Sequence, residues 1–255
     1  MRTDTQQTIY RNIARRNGAT AKELIKNLGL YPTGIFRHLH HLQKKKLIYK
    51  VGTPPTVRYY SYANTMKHQS PLLTNLLNWA ASGDPRIAPK NALYPTRDVF
   101  QARTDGLVHD LKKVTKNDNL AYLLVAIVGE IGNNAFDHNL GHWQDIPGIH
   151  FRHDASTREI GIADRGQGIY ATIRRVKPTV RNEAEAARVA FTERISGRAP
   201  EKRGNGLKFV KKVIEENRLR LELYTGGVKA EITASGMIVQ QSDTKIPGTM
   251  VCIQY

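Results

Sequence analysis

The stretch "LAYLLVAIVGEIGNNAFDHNL", residues 120–140, carries the strongest indication of the fold. It is an apolar, helix-forming run, yet it holds Glu130, Asn134 and His138 at intervals of four residues. Side chains four residues apart share one face of a helix, and a polar stripe on a buried helix needs a polar ligand to offset its desolvation. A magnesium-bound triphosphate fits, because an amide oxygen is a hard ligand for Mg²⁺. The carboxylate can orient and deprotonate a water or a hydroxyl.

Two glycine motifs follow this helix. In "REIGIADRGQGI", residues 158–169, an alternating strand pattern ends at Asp164 and is followed by Gly166 and Gly168. An acidic residue at a strand end can accept a hydrogen bond from an exocyclic amine such as adenine N6. The glycines let the backbone pass close to a flat base. Taken alone, the motif fits a simple turn equally well.

The second glycine motif, "EKRGNGLKFVKKVIEEN" at residues 201–217, places Gly204 and Gly206 directly before a helix. Backbone amides at a helix N-terminus form an anion site suited to phosphates. Lys202 and Arg203 add positive charge beside that site, and Thr249 follows a glycine at the start of a closing strand. The pattern therefore indicates a phosphate-bearing ligand.

Together these motifs resemble the sequence boxes of the GHKL ATPases, a group that includes gyrase B, heat-shock chaperones, histidine kinases, MutL-type repair proteins and anti-sigma serine kinases. The resemblance covers residues 98–255. The N box corresponds to Glu130, Asn134 and Ala135. The first glycine box corresponds to Asp164, Gly166 and Gly168, and the second to Gly204, Gly206 and Leu207. The terminal Gly-Thr corresponds to Gly248 and Thr249. Any one box could arise by chance, but four in this order form a specific signal.

The resemblance implies a GHKL (Bergerat) α/β sandwich, with helices on one face of a mixed, mostly antiparallel sheet. It implies ATP and Mg as cofactors, with Glu130 as general base, Asn134 as the Mg ligand and Asp164 as the adenine contact. The further ATP-binding residues that it implies are Asp137, His138, Gly166, Gly168, Lys202, Arg203, Gly204, Gly206, Leu207 and Thr249.

The first quarter of the chain predicts three helices followed by a β-hairpin. Thr20 and Glu23 form a capping box at the start of the second helix, and Pro32 falls in the first turn of the third. Two runs rich in β-branched and aromatic residues, 48–51 and 57–62, flank "GTPPT" and predict a wing.

This order of elements resembles the winged helix-turn-helix domains of bacterial transcriptional regulators. The resemblance implies that the third helix enters the major groove of double-stranded DNA. The residues that would reach base edges are Thr33, Phe36, Arg37 and His40. The residues that would contact phosphates are Lys44, Lys45, Lys46, Lys50 and Arg58. A solvated basic face and a protein-docking module are the alternatives.

Composition limits the function further. The 255 residues carry a formal net charge of +17, and residues 1–70 hold 13 Lys and Arg against only Asp4 and Glu23. This concentration favours an anionic partner at the N-terminal quarter. No apolar run reaches the length of a membrane span, and the N-terminus has no apolar signal core, so we expect a cytoplasmic protein. Cys252 excludes an internal disulfide and is expected to be a buried strand residue.

The sequence thus predicts an α+β protein with a winged helix at 1–62, a helix and linker at 63–97, and an ATP-binding domain at 98–255. The favoured function is a slow Mg-dependent ATPase that couples nucleotide state to DNA binding. The alternative is an anti-sigma-type serine/threonine protein kinase that acts on a partner protein. A nucleotide-binding adaptor without turnover is a third hypothesis, and a homodimer is compatible with all three.

Overall fold

The computed structural model describes residues 2–16, 18–45, 47–51, 57–61, 70–84, 86, 90–194 and 206–255. The chain divides into two compact units, Met1–Gln69 (unit 1) and Ser70–Tyr255 (unit 2). Both combine helices with an antiparallel sheet, so the fold class is α+β. Within the described residues, no helix has the length and apolar character needed to cross a membrane.

Unit 1 has the predicted order of three helices and a hairpin. Its elements are α1 (Arg2–Arg15), β1 (Ala19–Thr20), α2 (Ala21–Leu28), α3 (Pro32–Lys44), β2 (Ile48–Val51) and β3 (Arg58–Ser61). The strands pair antiparallel in the order β1-β3-β2. The predicted capping box is confirmed, because the Thr20 hydroxyl accepts from Glu23 N and the Glu23 carboxylate accepts from Thr20 N.

The core of unit 1 explains why α3 presents a polar face. Ile35, Leu39 and Leu42 of α3 are buried against α1, α2 and the sheet. These positions follow the helical spacing of one face. The opposite face of α3 is therefore left in contact with solvent.

Unit 2 is built on a five-stranded sheet. Its elements are α4 (Pro71–Ala81), β4 (Leu93–Tyr94), α5 (Arg97–Thr115), α6 (Asp118–Asn139), β5 (Ile149–Asp154), β6 (Glu159–Asp164), α7 (Gly168–Val176), α8 (Glu183–Thr192), α9 (Gly206–Glu216), β7 (Arg220–Thr233) and β8 (Gly236–Gln254). The strand order is β4-β5-β6-β8-β7. The sequence predicted a mixed, mostly antiparallel sheet, and every pairing among the described strands is antiparallel.

Helices cover both faces of this sheet, which the sequence did not predict. Helices α5, α6 and α9 share the larger core with the inner face of the sheet. Helix α4 packs on the other face, where Leu72 and Leu76 lie so close to Gly161 that a Cβ there would collide with both. Burying each leucine contributes about 1.5–3 kcal/mol, so α4 is a structural part of unit 2.

Arg165 fastens the end of α4 to the loop after β6. Its guanidinium donates to the carbonyl oxygens of Trp79 (2.6 Å), Ala80 (3.2 Å) and Ser82 (2.8 Å), which end the helix. It also pairs with the Asp145 carboxylate at 2.6 Å. The last carbonyls of a helix have no partner within the helix, and here one buried cation serves several of them.

Candidate functional site

A pocket opens in unit 2 between α6, α7, α9 and the strands β6, β7 and β8. It encloses about 650 Å³, counting the part that is open to solvent. Its lining residues are Ile131, Asn134, Ala135, His138, Asn139, Ile162, Asp164, Gly168, Ile169, Thr172, Leu207, Leu223, Thr249 and Val251. The walls are therefore mostly aliphatic, with a small set of polar groups, as is typical of a small-molecule site.

Asp164 is the one buried carboxylate of this pocket among the described residues. It ends β6 and is 4% exposed. Its Oδ1 accepts hydrogen bonds from Asn139 Nδ2 (3.0 Å) and Gly166 N (2.9 Å), and its carboxylate also accepts one from the Thr249 backbone. Burial raises the pKa of Asp164 to about 6, although these hydrogen bonds act in the opposite direction.

The glycines of the first motif are required by close contacts. A Cβ at Gly166 would overlap the Asn139 amide, and a Cβ at Gly248 would overlap the Asp164 carbonyl and carboxylate. Gly168 has a φ of +75°, in the region that glycine adopts without steric cost. The loop therefore turns tightly around the Asp164 carboxylate.

Two polar residues of the site were not predicted. Asn139 donates to Asp164 through Nδ2 and accepts from Gln167 N through Oδ1 at 3.1 Å. Thr225 donates its hydroxyl to Gly248 O and accepts from Ile169 N, both at 3.1 Å. Asn139 lies in the quoted helix but off the four-residue stripe, and Thr225 had no local signal in β7.

The predicted residues of α6 divide into two groups. Asn134 and His138 line the pocket. Asp137 is not among the lining residues and forms an ion pair with Arg97 of α5. It thereby joins two helices, and the structure does not bring it to the pocket.

Glu130 lies at the N-terminus of α9. Its carboxylate packs so closely on Gly206 that a Cβ there would overlap Oε2. A carboxylate at a helix N-terminus is stabilised by the helix dipole. Leu207, next in α9, lines the pocket. Lys202, Arg203 and Gly204 lie outside the described residues.

His138 lines the pocket and lies near Arg175. Burial lowers the pKa of His138, and the nearby Arg175 guanidinium lowers it further. The imidazole is therefore neutral at pH 7. No group of three or more His, Cys, Asp or Glu side chains in the described residues is arranged to hold a metal ion.

The predicted DNA-binding residues lie mainly on the free face of unit 1. Those that the structure leaves exposed are Thr33, Phe36, Arg37, His40, Lys44, Lys45 and Lys50. Phe36 is 58% exposed, so its ring is accessible to a binding partner. Lys46 lies outside the described residues.

Arg58 differs from the other predicted phosphate contacts. Its Nη2 pairs with Glu23 Oε2 at 3.1 Å and donates to Gly18 O at 3.3 Å. The guanidinium thus ties β3 to the start of α2. The pKa of Glu23 is lowered, first by the backbone hydrogen bond from Thr20 and then by the charge of Arg58.

No family model matches the chain, and a search of curated proteins finds no match. Among solved structures, one match is a protein from Silicibacter sp. TM1040 described as a candidate IclR transcriptional regulator. It has 7% identity and a TM-score of 0.22, over 99% of this chain and 84% of that one. Another is an IclR transcriptional regulator from Alicyclobacillus acidocaldarius, with 12% identity and a TM-score of 0.18, over 98% and 87% of the two chains. TM-scores this low establish no shared fold.

These matches nevertheless correct the function predicted from the sequence. Both structures are described as transcriptional regulators, and neither as an ATPase or a kinase. The predicted slow ATPase that couples nucleotide state to DNA binding is therefore wrong, and so is the alternative of a serine/threonine kinase.

Proposed function

We propose that this chain is a DNA-binding transcription regulator whose unit 2 holds an adenine nucleotide as a ligand rather than as a substrate. Unit 1 supplies the DNA-binding face, and the pocket at Asp164 supplies the ligand site. Each of these two activities depends on its own set of residues.

One observation carries the ligand proposal. A carboxylate that is 4% exposed lines a largely aliphatic pocket, and its pKa is raised to about 6. An ionised carboxylate can accept about four hydrogen bonds, and three donors from the protein are in place. Burying such a group is costly unless a ligand uses the remaining capacity.

Adenine supplies the missing donor and suits the walls. Its exocyclic amine would donate to Asp164, and its flat faces would contact Ile131, Ile162 and Val251. The glycine loop would leave room for the ring. Inosine nucleotides place a carbonyl oxygen where adenine has the amine. They are therefore the matched test of this hydrogen bond.

The phosphates and Mg²⁺ would occupy the polar end of the pocket. Asn134 would ligate Mg²⁺ through its amide oxygen, and the amides at the start of α9 would contact phosphate oxygens. The order of motifs, which resembles GHKL domains, supports the choice of ATP. Glu130 would act there as a packing partner of α9 and not as a base.

The DNA proposal rests on the exposed face of α3. Thr33, Phe36, Arg37 and His40 all point away from the core of unit 1. Residues 1–70 also hold 13 Lys and Arg against two acidic residues. Basic side chains on one face bind phosphates and make affinity fall steeply with salt.

Isothermal titration calorimetry with ATP·Mg, ITP·Mg and GTP·Mg tests the ligand proposal. We expect ATP to bind, ITP and GTP to bind at least tenfold more weakly, and no phosphate release over hours. The tenfold is an order-of-magnitude figure for one charge-assisted hydrogen bond, roughly 1.5–3 kcal/mol. Equal heats for ATP and ITP would refute the role of Asp164, and steady phosphate release would refute a ligand without turnover.

A further inference from the structure

An arginine with no predicted role lies near the pocket-lining residue His138. Arg175 is exposed near the C-terminal end of α7. Gly168, Ile169 and Thr172 of the same helix line the pocket. Residues three and four apart share a helix face, so Arg175, three residues after Thr172, continues the pocket-facing stripe.

The contacts of Arg175 point back toward the ligand site. Its Nη2 donates to the side-chain oxygen of Gln167, and Gln167 Nε2 donates to the carbonyl of His138. Long side chains on a helix lean toward its N-terminus, which here is the glycine loop. The guanidinium is thus held beside His138, a lining residue, by a neutral amide.

The described hydrogen-bond partner of this cation is the neutral side-chain amide of Gln167. In the part of the chain that the structure describes, no carboxylate forms an ion pair with Arg175. By contrast, the neighbouring cations Lys177 and Arg181 pair with Glu193 and Glu185, respectively. A hydrogen bond to a neutral amide is weaker than one to an anion, and guanidinium binds phosphate through two parallel bonds. An anionic ligand would therefore replace Gln167 as its partner.

We propose that Arg175 determines the preference of this pocket for a phosphorylated ligand over the corresponding nucleoside. This inference rests on the proposed adenine-nucleotide site. The guanidinium lies beside His138, one helical turn from Asn134, the proposed Mg²⁺ ligand on the same face of α6. Arg175 would bind a phosphate while Asp164 binds the base.

Arg174 supplies a matched control. It is the adjacent arginine, it is also exposed, and its guanidinium lies 5.7 Å from the centre of the Tyr170 ring. The two residues point about 100° apart around the helix. Removal of either one changes the net charge equally, but only Arg175 is aligned with the pocket-lining residues.

The experiment compares ATP·Mg with adenosine by calorimetry in the wild type, Arg175→Ala and Arg174→Ala. We expect Arg175→Ala to weaken ATP about tenfold, a figure typical of a lost charge-assisted hydrogen bond, and to leave adenosine unchanged. Arg174→Ala should leave both affinities within about twofold of the wild type, because exposed charges away from a ligand act weakly. Arg175→Lys, which retains the charge without the planar fork, should fall between the wild type and Arg175→Ala.

Each contrary result has its own meaning. Equal losses for Arg174→Ala and Arg175→Ala would show only a general charge effect and would overturn the inference. An unchanged ratio of ATP to adenosine affinity in Arg175→Ala would do the same. If the wild type binds neither ligand, the proposed function fails as a whole. If it binds adenosine and ATP equally, the base site stands and the role of Arg175 does not. Arg175→Lys serves as the test if Arg175→Ala does not fold.

Discussion

Replacement of Asp164 by asparagine should change how the stability of unit 2 depends on pH. Burial raises the pKa of Asp164 from 3.8 to about 6. One pKa unit corresponds to about 1.4 kcal/mol, so the ionised carboxylate destabilises the fold by about 3 kcal/mol at pH 8. Because the folded protein binds this proton more tightly than the unfolded chain, the contribution of Asp164 to stability improves as pH falls below 6. The improvement is about 1 kcal/mol at pH 5 and is complete only below about pH 3.8.

Another buried group acts in the opposite direction within the same range. Burial lowers the pKa of His150 from 6.5 to about 4. The unfolded chain therefore binds that proton more tightly, and the contribution of His150 to stability is lost as pH falls below 6.5. The pH profile of the wild type alone would mix these effects. The useful quantity is the difference in unfolding free energy between the wild type and Asp164→Asn at each pH.

Urea unfolding followed by tryptophan fluorescence measures this difference, since Trp79 and Trp143 both lie in unit 2. Relative to Asp164→Asn, the unfolding free energy of the wild type should increase by about 1 kcal/mol between pH 8 and pH 5. Asp154→Asn is the control. The hydrogen bonds of Ser156 and Thr157 lower the pKa of Asp154, so its difference should stay constant between pH 8 and pH 5 and decrease only as pH falls below about 4. If the difference in unfolding free energy between the wild type and Asp164→Asn is constant with pH, the pKa of Asp164 is not raised, and the argument that its buried carboxylate needs a ligand fails.

Three further predictions concern single side chains. Burial raises the pKa of the Cys252 thiol, so iodoacetamide at pH 8 should modify Cys252 only after the protein is denatured. Mass spectrometry measures the modification, and rapid modification of the native protein would contradict this prediction. Gly132→Ala should destabilise unit 2 by about 1–3 kcal/mol, because the new Cβ would collide with the Phe100 ring. A Cβ at Gly129 would have no neighbour within 4 Å, so Gly129→Ala should stabilise unit 2 by up to about 1 kcal/mol. If urea unfolding shows Gly132→Ala to be the more stable of the two variants, α6 packs differently from this description. Lys44→Ala should reduce the slope of log affinity for DNA against log salt by about one, and an unchanged slope would remove Lys44 from the phosphate contacts.

Local patterns in the sequence predicted the elements that depend on near neighbours. The capping box needs only Thr20 and Glu23, three residues apart, and the structure confirms both hydrogen bonds. The position of Asp164 at the end of β6 followed from strand alternation and the two glycines after it. Asn134 and His138 reach the pocket because the four-residue stripe is a property of the helix itself.

Features that depend on distant contacts were not predictable in the same way. Asn139 donates a hydrogen bond to the Asp164 carboxylate, 25 residues away in sequence. Thr225 accepts one from the Ile169 amide, 56 residues away. The apolar run of α4 predicted burial but not the face of the sheet that it covers. Arg165, which fixes α4, reaches carbonyls more than 80 residues upstream. Asp137 fitted the polar pattern of α6, yet its ion pair with Arg97 is a tertiary contact.

The most direct test of the account is a crystal structure of the protein grown with ATP and Mg²⁺. We predict the adenine base in the pocket between α6 and the glycine loop, with its exocyclic nitrogen about 2.7–3.2 Å from an Asp164 carboxylate oxygen. Density for the nucleotide elsewhere on the protein, or a well-ordered pocket filled by the protein's own side chains at saturating ATP, would contradict the central claim.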